Sequence, residues 1–293
     1  MPKLTTDDIT LHYQCLGEGE EDLILIHGLG ANLAFWYMRI ASVLAQHYRV
    51  IIYDLRGHGE SSMPIAGYTL SHMTQDLQAL MEHLQVKGAH VVGHSFGGTV
   101  ALHYALSYPN KVATLTLADT QFSCLQPKVR LGDWPYWGIW KQRFIKQGIT
   151  PPTDDEFIGM RLLSLLNQLS AKASYTDKSQ TTRKPFLRQF NMGNKGTERW
   201  EKLLNATLAE KELDESEQIN LEQIQNLTLP TLAIYGEYSY CLPCCEKLKD
   251  IIPHCQTVIV PEVGHFHPAV KPDFFVENLQ QFLKAYSLDF LHK

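Results

Sequence analysis

The amino-acid sequence predicts an α/β fold, with a mostly parallel central sheet, helices on both faces and an inserted helical cap. Short apolar runs recur along the chain, as expected of strands that are buried on both faces. Amphipathic helical segments alternate with these runs, and such alternation favours parallel strand pairing. Between about residues 122 and 212 the alternation stops, and aromatic, helix-like patterns replace it.

The elements of the predicted core can be assigned in order. Residues 9–14 alternate apolar and polar side chains and predict an early antiparallel strand. Buried strands are predicted at residues 23–26, 50–53 and 89–92, further strands at 115–118, 231–235 and 257–260, and helices at 71–85, 99–107 and 274–283. We therefore assign residues 1–121 and 213–293 to the core and 122–212 to the helical cap.

The composition excludes several classes of protein. A chain of 293 residues is long enough for one large core with an insertion. The net charge of −5 and the absence of basic runs argue against a nucleic-acid partner. No apolar stretch has the length of a signal peptide or a membrane span, so we expect a cytoplasmic protein. The sequence does not predict an oligomeric state.

The six cysteines are too few and too scattered for a disulfide framework, so we expect reduced thiols. Cys241, Cys244 and Cys245 lie close together, but zinc sites usually need a second pair of ligands at suitable spacing. Only His254 and Cys255 are near enough in sequence to supply one. We therefore predict no metal site and no cofactor.

A strand–turn–helix motif contains the best candidate for a nucleophile. The segment Gly93-His94-Ser95-Phe96-Gly97 has the pattern G-x-S-x-G between a buried strand and a helix. The glycines remove side chains that would collide across so sharp a turn, which leaves the serine hydroxyl exposed at the edge of the sheet. The free N–H groups of the following helix favour any anion formed there. This context predicts that Ser95 is a nucleophile.

Four motifs occur in an order that resembles the α/β-hydrolase superfamily, especially its capped esterases and carbon–carbon bond hydrolases. They are His27-Gly28-Leu29-Gly30, Asp54-x-Arg56-Gly57-His58-Gly59-x-Ser61, the Ser95 turn, and Gly264-His265-Phe266. The resemblance implies that His265, just after the last strand, is the base. It also implies that the backbone N–H groups of Leu29 and Phe96 form an oxyanion hole.

The third catalytic residue departs from the usual pattern of this superfamily. The resemblance places an Asp three residues after Gly236, but Ser239 stands there and cannot carry a charge beside an imidazolium. Some lipases and dehalogenases of the superfamily take the acid from the preceding strand end. Asp119 lies 24 residues past Ser95, which is their spacing, and we predict that it is the acid. The alternatives are Glu237 or another carboxylate, and the absence of any acid.

The predicted activity is hydrolysis of a carboxylic ester, thioester or lactone that has a hydrophobic portion. Ser95 would form an acyl-enzyme while His265 moves the proton and Asp119 orients His265. The alternatives are a carbon–carbon bond hydrolase, a lyase, an acyltransferase, or a non-catalytic ligand-binding protein, which Ser239 suggests.

The cap contains candidate substrate-binding residues. Trp134, Trp137 and Trp140 are spaced three apart, which would place them near one face of a helix. They are predicted either to form an apolar wall for a small hydrophobic acyl substrate or to pack the cap onto the sheet.

Overall fold

The computed structural model describes residues 2–176, 193–215 and 219–286, and it contains one eight-stranded sheet. The strands are β1 (Lys3–Thr5), β2 (Thr10–Leu16), β3 (Asp22–Ile26), β4 (Arg49–Tyr53), β5 (Ala89–His94), β6 (Val112–Ala118), β7 (Thr231–Gly236) and β8 (Cys255–Val260). Their order across the sheet is β1-β2-β4-β3-β5-β6-β7-β8. Strand β2 is antiparallel to both of its neighbours, and all other neighbouring pairs are parallel. The mostly parallel sheet is therefore confirmed.

Helices cover both faces of the sheet, as predicted. In chain order they are α1 (Ala34–Trp36), α2 (Ser42–Leu44), α3 (Leu70–His83), α4 (Phe96–Ser107), α5 (Trp137–Lys146), α6 (Met160–Thr176), α7 (Gly193–Ala206), α8 (Ala209–Glu215), α9 (Leu221–Gln225), α10 (Leu242–Ile251), α11 (His267–Val270) and α12 (Pro272–Lys284). Buried side chains of α3, α4 and α10 pack on one face. Those of α1, α2 and α12 pack on the other. None of the helices in the described part of the chain is long and apolar enough to cross a membrane.

Among the described residues between the end of β6 and the start of β7 there are five α-helices, α5 to α9. The first two have an apolar core of their own, which includes Trp140, Phe144, Leu162 and Leu169. Because α8 crosses residue 212 and α9 follows it, the helical region extends beyond the predicted cap. The division of the chain at residues 122 and 212 stays a prediction.

Parallel pairing determines where the candidate catalytic residues meet. Strands β5, β6 and β7 are neighbours, and Ala118 of β6 pairs with both His94 and Ile234. The carboxyl ends of these strands therefore lie side by side at one edge of the sheet. In open α/β sheets this edge is where ligands bind.

Candidate active site

The nucleophile turn is as sharp as its sequence predicts. Strand β5 ends at His94, helix α4 begins at Phe96, and Ser95 is the single residue between them. Ser95 has φ 55° and ψ −126°, a conformation that residues with a side chain rarely adopt. A Cβ atom on Gly93 would overlap the carbonyl oxygen of Gly97, so the close approach of these two segments requires glycine.

The three residues predicted to form a triad lie in one chain of hydrogen bonds. The Nε2 atom of His265 lies 3.0 Å from the Oγ atom of Ser95. Its Nδ1 atom lies 2.9 Å from Oδ1 of Asp119. A carboxylate can only accept, so Nδ1–H donates to Asp119, and Nε2 is left to accept from the Ser95 hydroxyl. This is the arrangement in which an imidazole can take a proton from a serine.

Asp119 follows β6 directly and is completely buried. Its Oδ2 atom accepts from the Gly236 N–H at 2.8 Å, and its Oδ1 atom also accepts a short hydrogen bond from the Ser239 hydroxyl. Burial by itself raises the pKa of Asp119. The hydrogen bond from His265, the attraction of the same imidazole and the hydrogen bond from the Gly236 N–H outweigh this effect and lower its pKa overall. The carboxylate therefore stays charged beside the imidazole.

The structure also locates the alternative acid, Glu237. This residue is exposed, and its Oε2 atom accepts from the N–H of Glu262 at 2.7 Å. Ser239, which stands at the usual position of the acid, instead donates to Asp119. Of these candidates, Asp119 is the one hydrogen-bonded to His265.

Other histidines surround the site without contacting the Ser95 hydroxyl. Nε2–H of His94 donates to the carbonyl oxygen of His265 at 2.9 Å and so fixes the backbone of that loop. Nε2 of His267 lies 3.7 Å from Oδ2 of Asp119. Burial lowers the pKa of His267 to about 4 and, together with the nearby His265, lowers that of His94 well below its usual value. Both rings are therefore neutral near pH 7.

His58 holds the loop that is predicted to supply one oxyanion donor. His58 accepts from the N–H of Gly30 at 3.1 Å through Nε2, and its Nδ1–H donates to the carbonyl oxygen of Arg56 at 2.9 Å. Burial lowers the pKa of His58 to about 3, so its ring stays neutral and Nε2 can accept the hydrogen bond from Gly30. Leu29 lies in this loop and lines the same cavity as Ser95. Phe96 opens helix α4, where the N–H groups have no partner within the helix. The roles of these two N–H groups stay predictions.

An apolar cavity of about 200 Å³ opens onto Ser95 and His265. Its described lining comes from the sheet edge, the helical segment between β6 and β7 and the loops after β7 and β8, and contains no Asp, Glu, Lys or Arg. The lining side chains include Phe35, Trp134, Trp140, Ile158, Met160, Leu162, Leu163, Leu166, Tyr238, Tyr240 and Phe266. Such a cavity suits an uncharged, apolar group.

The three tryptophans predicted to lie in the cap do not share one environment. Trp134 and Trp140 line the cavity. Trp137 does not belong to the described lining: it packs in the apolar core of α5 and α6, and its Nε1–H donates to Oδ1 of Asp154 at 2.7 Å. The three residues do not lie on one helical face, because α5 begins only at Trp137 and Trp134 precedes it.

Two contacts of His265 had no signal in the sequence. The ring of Tyr240 lies against the imidazole, with 5.1 Å between ring centroids. The Sγ atom of Cys241 lies 3.9 Å from Nδ1 of His265. Both residues belong to the loop after β7, in which the sequence analysis looked for a carboxylate.

Comparison with known proteins places this geometry in a family. Residues 23–272 match the family model described as alpha/beta hydrolase fold. The chain belongs to the alpha/beta hydrolase family. This confirms the predicted fold and resemblance, and it confirms at family level that the chain is a hydrolase.

Individual relatives of this alpha/beta hydrolase include proteins named as a lactonase and a lipase. It is 34% identical to 3-oxoadipate enol-lactonase 2 of Acinetobacter baylyi over 149 residues, which cover 50% of this chain and 53% of that protein. It is 29% identical to Lipase 3 of Moraxella sp. over 256 residues, which cover 84% of this chain and 71% of the lipase.

The solved structure of the enol-lactonase from Burkholderia xenovorans LB400 has the same fold. The two match with a TM-score of 0.66 and 21% identity, over 97% of this chain and 100% of that one. The chain spans about half the length of the first curated relatives that it matches, or less. The specific reaction is therefore a proposal.

Proposed function

We propose that this alpha/beta hydrolase cleaves a carboxylic ester, thioester or lactone with a hydrophobic portion, through an acyl-enzyme on Ser95. The observation that carries the proposal is the unbroken chain of hydrogen bonds from Asp119 through His265 to Ser95. This chain ends at a serine hydroxyl that faces an apolar cavity.

The proposed mechanism begins when Ser95 Oγ attacks the substrate carbonyl and its proton passes to Nε2 of His265. Asp119 holds the imidazole in the required tautomer and stabilises its charged form. The developing oxyanion is held by the N–H groups of Leu29 and Phe96. His265 then returns the proton to the leaving oxygen or sulfur. A water molecule, activated by the same imidazole, hydrolyses the acyl-enzyme and releases the acid.

The cavity supports a preference among substrates. Trp134 and Trp140 offer aromatic surface to the acyl group, whereas Trp137 supports the cap from within. With no Asp, Glu, Lys or Arg in the described lining, an acyl group that ends in a carboxylate would lose its hydration without gaining a partner. We therefore propose a small, uncharged, hydrophobic acyl substrate. From the net charge and the apolar pattern of the sequence we also propose that the protein has no nucleic-acid partner and acts in the cytoplasm.

Turnover of p-nitrophenyl esters tests the proposal. We expect hydrolysis of butyrate and hexanoate esters and much weaker hydrolysis of the succinate monoester. Ser95→Ala should lower kcat by about 10⁶-fold, the scale seen when the nucleophile of such a triad is removed. The matched control is Ser107→Ala, since Ser107 lies at the far end of the same helix and donates only to His103 O.

Covalent trapping tests the acyl-enzyme directly. A fluorophosphonate should add once to the wild-type chain and not to Ser95→Ala, as measured by intact mass spectrometry. Turnover that survives Ser95→Ala, or labelling that persists in it, would exclude this mechanism. Labelling of Ser95 without turnover of any ester, thioester or lactone would instead favour the acyltransferase or ligand-binding alternatives.

A further inference from the structure

Three side chains, one of which is the proposed catalytic base His265, form a cluster of potential metal ligands. One ligand atom each from Asp119, Cys241 and His265 lies within 4.8 Å of the other two. The Sγ atom of Cys241 is 3.9 Å from Nδ1 of His265, and that nitrogen is 2.9 Å from Oδ1 of Asp119. We propose that these three atoms form an inhibitory binding site for a thiophilic divalent cation such as Zn²⁺. The inhibition rests on the proposed function, whereas the binding does not.

The distances suit a tetrahedral zinc ion. Bonds of about 2.3 Å to sulfur and about 2.0–2.1 Å to nitrogen or oxygen place two ligand atoms roughly 3.3–3.6 Å apart. The Sγ–Nδ1 and Nδ1–Oδ1 separations of 3.9 and 2.9 Å lie on either side of this range, and the sulfur and carboxylate oxygen lie within 4.8 Å of each other, so shifts of about one ångström would complete the site. A water molecule would take the fourth position. One thiolate, one imidazole and one carboxylate are all common ligands of Zn²⁺.

Only one member of the cysteine cluster contributes. The thiols of Cys244 and Cys245 face the carbonyl oxygens of Phe122 and Ala233, each at 3.8 Å. A zinc site at these cysteines was expected to need a second pair of ligands close to them in sequence. The fold instead combines Cys241 with Asp119 from β6 and His265 from the loop after β8, which are far apart in sequence.

Occupation of the site would disable the proposed triad. The cation would replace the proton on Nδ1 of His265 and the proton of the Cys241 thiol, and both protons would pass to solvent. Asp119 would then bind the cation instead of the imidazole. The positive charge on Nδ1 would also oppose transfer of the Ser95 proton to Nε2.

The route to the site predicts how inhibition develops. Cys241 and Asp119 are buried, but the side chain of His265 is 14% exposed and lines the cavity together with Tyr240. The cation would enter from the cavity and pass the Tyr240–His265 ring pair, so we expect inhibition with a slow onset.

Cadmium and zinc titrations of the full-length, chelator-treated protein test the site. Cd²⁺ serves as the probe, because its bond to a thiolate gives an ultraviolet charge-transfer band that does not depend on enzyme activity. We expect one Cys241-dependent cadmium–thiolate bond per chain, together with loss of esterase turnover that EDTA reverses. Zn²⁺ should inhibit in the same way.

Variants assign the effect to Cys241. Cys241→Ala, or Cys241→Ser if the alanine variant does not fold, should lose that part of the band. Loss of an outer-shell partner costs roughly 10- to 100-fold in metal affinity. Because Cys241 would bind the cation directly, its loss should raise the metal concentration needed for inhibition by more than this factor. The matched control, Cys244→Ala, should respond as the wild type does. Equal cadmium binding and inhibition in the Cys241 variants, or metal binding at Cys241 without inhibition, would overturn the proposal. If no ester is turned over, the proposed function fails, and the absorbance difference alone still decides whether the metal site exists.

Discussion

Replacing Asp119 by Asn should abolish most of the activity while changing the shape of the side chain little. The hydrogen bonds around this residue predict the outcome. The backbone N–H of Gly236 can only donate, so it holds the amide oxygen of the new side chain in the Oδ2 position. The amide nitrogen must then face His265 and Ser239, at the position that Oδ1 now occupies.

This reversal changes the tautomer of His265. The amide N–H donates to Nδ1, so the imidazole proton moves to Nε2, the atom that faces the Ser95 hydroxyl at 3.0 Å. Nε2 then donates where it should accept, and the base is lost. In a triad of this kind the wrong tautomer lowers kcat by about 10⁴-fold. At about 1.4 kcal/mol per factor of ten, this corresponds to about 5.5 kcal/mol of transition-state stabilisation.

The assay is kcat for a p-nitrophenyl ester, measured beside the thermal midpoint of each variant. The matched control is Glu237→Gln, which removes an exposed carboxylate from the neighbouring loop and should leave kcat near the wild-type value. The reasoning would be refuted if a folded Asp119→Asn variant stayed within about tenfold of wild type. Loss of activity in Glu237→Gln alone would transfer the role of the acid to that residue.

Three further predictions follow from the same contacts. Ser239→Asp should lower both activity at neutral pH and the thermal midpoint, because two carboxylates in hydrogen-bond contact cannot both ionise cheaply. Activity above wild type would contradict this. Trp140→Ala should raise KM for hexanoate esters by roughly tenfold, because the substrate loses about 1–2 kcal/mol of apolar contact. Trp137→Phe removes the hydrogen bond to Asp154 away from the cavity, so it should lower the thermal midpoint and leave KM unchanged. Acid should destabilise the protein through His58, because its pKa in the folded state, about 3, lies below the ordinary value of 6.5. The contribution of His58 to the free energy of unfolding is therefore complete above pH 6.5. It is lost as the pH falls towards 3, at about 1.4 kcal/mol per pH unit. Thermal midpoints at pH 7 and pH 5 should therefore differ less in His58→Gln than in wild type, and an equal difference would exclude this cause.

The sequence was enough to predict most of the fold because the signals that define it are local. Short apolar runs located the parallel strands β3 to β8, although β5 continues through Gly93 and His94, two residues past its apolar run. Parallel neighbours supply hydrogen bonds to any backbone, so the polar end of a strand stays paired without an apolar side chain to mark it. The start of α4 is hidden for a different reason: the helix begins at Phe96, and Gly97 and Gly98 in its first turn are poor helix formers.

The site was only partly predictable because its remaining features depend on proximity in space. The prediction that Trp134, Trp137 and Trp140 share one helical face required a helix that begins earlier than α5 does. Tyr240 and Cys241 touch His265 only because the loop after β7 folds back over the loop after β8. No spacing in the sequence carries that information.

Ser239 shows how a missing residue can mislead a prediction made from sequence alone. Strands β6 and β7 are parallel neighbours, so a carboxylate at the end of either strand can approach the same imidazole. With Asp119 at the end of β6, an acid at position 239 would add a second negative charge in contact with the first. A serine at that position adds no charge, and its hydroxyl donates to Asp119. Its own oxygen accepts from the Cys241 N–H at 3.1 Å, so the hydroxyl is held in place. Serine at position 239 is thus compatible with a carboxylate supplied from the end of β6, and its presence gives no reason to regard the site as inactive.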